Sequence, residues 1–201
     1  MLTYALTASG TTPTNPTATV SYGYSTGTWG DMLTSYNGNS ITYDAIGNPL
    51  SYYNGTRVTF TWEGRSLKTV TKGTQGFTFT YNDEGIRTSK TAHGVKHTYY
   101  LNGTQIISEE WNGNILVFIY DASGAPIGMR YRAKSYAEGV FNTYWFGKNM
   151  QGDIVAVYDN EGTKLVTYTY DAWGNHTTAY SNGGASTPAQ LNPFRYRSYF
   201  V

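Results

Sequence analysis

The sequence predicts an all-β chain of tandem antiparallel hairpins forming a curved or spiralling sheet. Three observations carry this. A Tyr-Asx-x-x-Gly unit recurs five times, starting at Tyr43, Tyr81, Tyr120, Tyr158 and Tyr170, at intervals of 38, 39, 38 and 12 residues. Apolar and polar residues alternate with period two in several segments. The 201 residues include 20 Tyr and 23 Gly, with abundant Thr and few Leu, which favours strands and turns over helices. A repeat near 40 residues also fits β-propeller blades, which is the alternative fold. The 12-residue last interval fits blades poorly.

Each repeat unit explains itself as a turn. Asp or Asn at the first position and Gly three residues later mark a type I β-turn. The Asx side chain accepts a hydrogen bond from the backbone two residues on. Gly supplies the left-handed conformation that closes a bulged hairpin loop, and the preceding Tyr is a good strand residue. The repeat-turn residues are Tyr43, Asp44, Gly47, Tyr81, Asn82, Gly85, Tyr120, Asp121, Gly124, Tyr158, Asp159, Gly162, Tyr170, Asp171 and Gly174. Their carboxylates read as turn builders. A catalytic or metal role needs several of them to converge on one point, and turns spread along a repeat do not imply that.

Residues 1–19 read as a linker or irregular N-terminal segment, with Ser9–Thr19 as loop, and a first strand follows over Thr19–Tyr24. Asn-Gly pairs at Asn37, Asn54, Asn102, Asn112 and Asn182 signal further hairpins. Val58, Phe60 and Trp62 share one face, with Thr59 and Thr61 on the other. Phe77, Phe79 and Tyr81 oppose Thr78 and Thr80, and Val166, Tyr168 and Tyr170 oppose Thr167 and Thr169. Second hairpins at Trp62–Arg65 and Tyr100–Gly103 halve the period to about 19 residues. Tyr131–Glu138 holds a short helical turn or an irregular loop. Residues 20–180 form the repeat sheet, and 181–201 read as irregular.

Composition excludes several classes. The net charge is +1, so there is no basic footprint for nucleic acid. Without cysteine there are no disulfides, thiol nucleophiles or Cys-based zinc sites. No stretch reaches the 18 apolar residues of a membrane helix. Met1–Tyr4 lacks the features of a signal peptide, and the start reads as a cut inside a larger protein.

Candidate sites are few. His93 and His97 stand at i, i+4, which brings two imidazoles together on a helix. On a strand the same spacing holds them about 13 Å apart. His176 follows the fifth turn and reads as surface. No nucleophile elbow, phosphate loop, dinucleotide fingerprint or calcium loop is present, so no cofactor is expected. Asn54, Asn102 and Asn175 begin glycosylation sequons, but turn chemistry accounts for the first two. With 16% aromatic residues some rings must face solvent. Trp29, Trp111, Trp145 and Trp173 are the candidate contact aromatics, able to stack on sugars or anchor a partner.

Tyr43–Asn48, Tyr120–Gly124 and Tyr170–Asn175 resemble the YD repeats of the rearrangement-hotspot (Rhs) family. That family takes in insecticidal toxin complexes, wall-associated proteins of Gram-positive bacteria and the teneurins. Gly147–Ile154 through Asn192–Arg197 is similar to the entry into the Rhs-associated core, and the resemblance covers about residues 20–200. It implies a spiralling β-shell that encloses a C-terminal toxin, with the core segment as plug. The self-cleavage Asp of the late core has no counterpart before Val201, so no catalytic residue carries over.

The expectation is a non-enzymatic structural module. It builds part of the encapsulating shell of a secreted or cell-surface bacterial toxin protein, and it self-associates through open sheet edges. Its partners would be copies of itself or the rest of the shell, and an enclosed toxin domain. The rival reading is an adhesion module that binds glycans or cell surfaces through exposed Tyr and Trp.

Overall fold

A computed structural model describes residues 2–6, 18–27, 30–181 and 186–200. These residues form tandem antiparallel hairpins, and the chain divides into two units, 1–94 and 95–201.

The first unit opens with a four-stranded sheet of β1 (Leu2–Leu6), β2 (Ala18–Tyr24), β3 (Leu33–Tyr36) and β4 (Asn39–Ser40) in sequential order. β1 lies inside the stretch read as linker and pairs with β2, from Leu2 opposite Tyr22 to Leu6 opposite Ala18. Most of the expected Ser9–Thr19 loop falls outside the described residues. A run of six strands follows: β5 (Thr42–Tyr43), β6 (Pro49–Asn54), β7 (Thr56–Glu63), β8 (Ser66–Lys72), β9 (Gln75–Tyr81) and β10 (Arg87–Ala92). Each pairs with the next in sequence. In β7, Val58, Phe60 and Trp62 are half-buried while Thr59 and Thr61 are exposed, as period two requires.

The second unit is a run of eight: β11 (Val95–Asn102), β12 (Gln105–Trp111), β13 (Asn114–Tyr120), β14 (Pro126–Arg132), β15 (Asn142–Lys148), β16 (Ile154–Tyr158), β17 (Lys164–Tyr170) and β18 (His176–Tyr180). They too pair strictly in sequence. An uninterrupted eight-strand meander does not divide into four-stranded blades, so the propeller alternative fails. Residues 133–141 form an irregular loop rather than a helical turn.

The core belongs to this second unit. Leu116, Phe118, Met129, Tyr144, Val157, Val166 and Tyr168 face the same way from β13 to β17 and are at most 8% exposed. What covers them comes from the C-terminal stretch expected to be irregular. A short helix α1 (Ser186–Leu191) is followed by a 3-10 turn at Tyr196–Ser198 and a bridge between Phe194 and Phe200. Ala189 and Phe194 complete the cluster. No helical period is readable in Ser186–Leu191 because six residues are less than two turns.

The Asn-Gly pairs do not all act alike. Asn37-Gly38 and Asn112-Gly113 have positive φ at both residues, the type I′ hairpin. At Asn102 only Gly103 is left-handed, and the loop is Gly103-Thr104, because Asn102 pairs with Gln105. Asn54 pairs with Thr56 across Gly55 alone, and Asn182-Gly183 lies outside the described residues.

Candidate functional site

The recurring Tyr-Asx turn is the constructive site of this molecule, and its five copies share one geometry. In the first, Asp44 Oδ1 accepts the N–H groups of Ile46 at 3.0 Å and Asn48 at 2.8 Å. Gly47 N–H donates to the Asp44 carbonyl and Asp44 N–H to the Asn48 carbonyl. The same four bonds recur at Asn82, Asp121, Asp159 and Asp171. The fourth residue, Gly47, Gly85, Gly124, Gly162 or Gly174, has φ between +77° and +87°. A side chain there is strained in any space, so Gly is required.

A sixth copy escaped the sequence pattern. Asn149 Oδ1 accepts the N–H groups of Gln151 and Asp153, each at 3.0 Å, and Gly152 has φ +83°. Lys148 stands where the other copies have Tyr, so a search keyed on Tyr passes over it. The shorter pattern Asx-x-x-Gly would have found it. Here Asn and Asp have also traded places. Asn149 Nδ2 donates to Asp153 Oδ2 at 2.7 Å, whereas Asn48 and Asn175 donate to Asp44 and Asp171.

The tyrosines do more than extend strands. Tyr43, Tyr81, Tyr120 and Tyr170 each donate the phenol hydroxyl to a carbonyl earlier in the chain: Leu33, Leu67, Ile106 and Ile154, at 2.5–2.8 Å. The turn is thereby stapled to a neighbouring strand. In the intermediate hairpin Trp62 takes this place, its indole N–H donating to the Pro49 carbonyl at 2.7 Å. Tyr158 differs, with its ring against Gly147 and the Lys164 ammonium 5.9 Å above it. Burial pushes the Tyr120 and Tyr170 hydroxyls up to about 12, since a phenolate loses its solvation there.

The carboxylates of Asp44, Asp121 and Asp171 are held below the ordinary range. For Asp121 the Ser123 hydroxyl leads, and for Asp171 the Asn175 amide leads. At Asp44 desolvation pushes upward, but hydrogen bonds from Asn48 and Ile46 outweigh it.

The turns do not converge on a centre. Among the described residues no cluster of three His, Asp or Glu could hold a metal ion. His93 sits in a tight turn with φ +50° and His176 opens β18, exposed. His97, on β11, bonds Glu109 Oε1 through Nδ1 at 2.6 Å and stacks on Trp111, an interaction that sequence reasoning missed. The partner is twelve residues away, a distance at which no local signal exists.

The candidate contact aromatics separate. Trp111 lies between His97 and Tyr131, with ring centroids at 5.3 and 6.2 Å, and packs against the core. It is structural rather than a free contact ring, because its strand position faces the covered side. Trp145 is 39% exposed and Trp173 86%. Trp29 lies outside the described residues.

The C-terminal segment docks on the sheet through specific contacts. Phe194 enters a socket of Phe118, Tyr120, Phe146 and Phe200, with centroids 5.1–6.1 Å apart. Arg195 lies over the Tyr168 ring at 4.4 Å and caps α1 through the carbonyls of Ala189 and Asn192. Buried Asp153 accepts the Arg197 N–H at 2.8 Å, and the Ser198 hydroxyl donates to the Gly152 carbonyl at 2.6 Å. The sixth turn is therefore the anchor of this segment.

No family model matches the chain. In sequence it is 30% identical over 177 residues to the tRNA3(Ser)-specific nuclease WapA of Bacillus spizizenii, and equally to the tRNA nuclease WapA of Bacillus subtilis. Each match covers 84% of this chain but 7% of the relative. Among solved structures, the TcdB2-TccC3-Cdc42 crystal structure matches with a TM-score of 0.56 at 16% identity, over 90% of this chain and 11% of that one. A TcdB2-TccC3-TEV structure gives 0.57 at 19% identity, with the same coverages, and these likenesses show the fold. The chain thus spans a small part of each of these relatives and solved structures.

Proposed function

We infer that this chain is a structural repeat module, a stretch of the encapsulating wall of an Rhs-type secreted or cell-surface bacterial toxin protein, without catalysis of its own. The observation that carries the reading is the turn-and-staple device. Six Asx turns with one geometry, four of them tied by a tyrosine hydroxyl to another strand, spend the chain's polar side chains on holding hairpins in register. The likeness to a few per cent of the WapA tRNA nucleases fits a wall segment better than their catalytic part. The mechanism is mechanical. Hairpins add edge to edge, one face is buried, and segment 186–200 covers it as the start of a plug. The wall's neighbours are further hairpins of the same kind, from the same polypeptide or another copy, and an enclosed toxin domain.

The test is direct. The purified chain, incubated with total tRNA and with a panel of oligosaccharides, should cleave neither. Turnover of either that is lost on substitution of one of this chain's own carboxylates or histidines would overturn the reading.

A second reading, carbohydrate contact, draws on Trp173 at 86% and Tyr199 at 71% exposure. A Trp173→Ala chain that loses retention on an immobilised polysaccharide which holds the parent chain would support it. No retention of the parent chain would end it.

A further inference from the structure

The face of the second unit opposite the core carries a concavity that the wall does not use. It holds about 310 Å³ and is lined by Lys96, Thr98, Glu110, Asn112, Ile115 and Arg132, among others. The pairing register explains why these residues meet. Thr98 lies opposite Glu110, Glu110 opposite Ile115, and Ile115 opposite Arg132, so one row crosses four strands. Lys96 is two residues before Thr98 and shares its face. The row is antiphase to Tyr99, Leu116 and Met129, which the core and the C-terminal segment cover. It therefore stays open to solvent.

The charges in this row are unevenly satisfied. Glu110 accepts the Tyr100 hydroxyl at 2.9 Å through Oε2. Neither the Lys96 ammonium nor the Arg132 guanidinium has an ion-pair or hydrogen-bond partner among the described residues. The backbones of these two residues are three strand spacings apart, about 14 Å, with Lys96 two residues further along its strand, and their long side chains flank a concavity with an acceptor and an amide between them. Ile115 forms a half-buried apolar floor. A guanidinium matches a carboxylate in bidentate fashion. Glu110 and Asn112 offer the acceptors and donors that hydroxyl groups need. Ile115 suits the C–H face of a saturated ring.

We propose that this concavity is a binding site for an acidic sugar, a pyranose bearing a carboxylate of the uronate type. Its carboxylate is held by Arg132 at one end, its hydroxyls by Glu110 and Asn112, and the Lys96 ammonium donates to a hydroxyl at the other end. The proposal does not rest on the wall reading, and either can fail alone.

The experiment is an amide chemical-shift titration of the full chain with D-glucuronate, with D-glucose and acetate as separate arms. Glucuronate is expected to move Lys96–Thr98, Glu110–Asn112 and Arg132 saturably, while glucose and acetate at equal concentration move them little. Lys96→Gln and Arg132→Gln should each weaken glucuronate about tenfold or more, the value of one charge-assisted hydrogen bond. Both positions lie outside the core, and an unchanged far-ultraviolet dichroism checks the fold. Should either variant fail to fold, a salt titration of the parent complex replaces it, with affinity expected to fall as ionic strength rises. Absence of glucuronate shifts, equal shifts with glucose, or unaltered binding by both variants overturns the proposal. Acetate acting as well as glucuronate overturns the sugar assignment, since the site then reads charge alone.

Discussion

At the scale of single residues, each repeat tyrosine with a staple does two jobs, and the second can be removed by itself. Tyr120→Phe and Tyr170→Phe keep the ring and delete the hydroxyl that meets the Ile106 and Ile154 carbonyls. Each should cost about 1–2 kcal/mol, read as a lower midpoint in urea unfolding. The same residues set the alkaline limit. Their folded value near 12 stands above the usual 10, so the neutral phenol is favoured in the fold. The associated stability is complete below about pH 10 and is lost as pH rises through about 12. A pH series of melting temperatures should show this decline, and the double Phe variant should show a flatter one. On the acid side the sign reverses. Asp44, Asp121 and Asp171 are lowered, so their contribution is present above the ordinary carboxylate range and lost as pH falls through their folded values. Asn82 and Asn149 make the same turn without titrating, and Asp121→Asn should accordingly lessen the acid sensitivity of the melt.

At the scale of elements, the C-terminal segment rests on one aromatic ring and one buried carboxylate. Phe194 is 4% exposed within its socket, and Phe194→Ala should cost about 3–5 kcal/mol. Asp153→Ala leaves the Arg197 N–H and the Asn149 amide without their acceptor. It should loosen residues 186–200 ahead of the strands, which hydrogen exchange can time. What the sequence made legible follows the reach of the interactions. Asp44 to Gly47 closes a turn within four residues, so its chemistry is written in adjacent letters, and the Val58–Trp62 alternation is equally local. The staple from Tyr120 to Ile106 spans fourteen residues, and the Asp153–Arg197 contact spans forty-four. Such contacts exist only once the strands are registered. The turn at Asn149 is hidden for another reason: the repeat pattern begins with tyrosine, and Lys148 replaces it without changing the backbone bonds. Trp111 could not be told from Trp173 by type, because exposure depends on which face a neighbouring segment covers.

At the scale of the whole molecule, the sequential pairing of hairpins leaves β18 with a strand partner on one side only among the described residues. Its residues are mostly exposed, and Tyr180 is 48% exposed. Open strand edges pair with other chains. The chain should therefore self-associate, seen as a mass above one chain in light scattering at tens of micromolar. Thr178→Pro on β18 should lower that mass, since proline removes a donor from the edge. A monodisperse monomer at that concentration would remove this part of the account.

The wall reading, which places this chain in a longer polypeptide with an enclosed domain, is tested most directly by protease protection in that polypeptide. Under native conditions the hairpin array is expected to persist as a resistant fragment that shields an enclosed domain, and mild denaturant should expose both together. An enclosed domain cut as fast in the native polypeptide as in isolation would contradict the account.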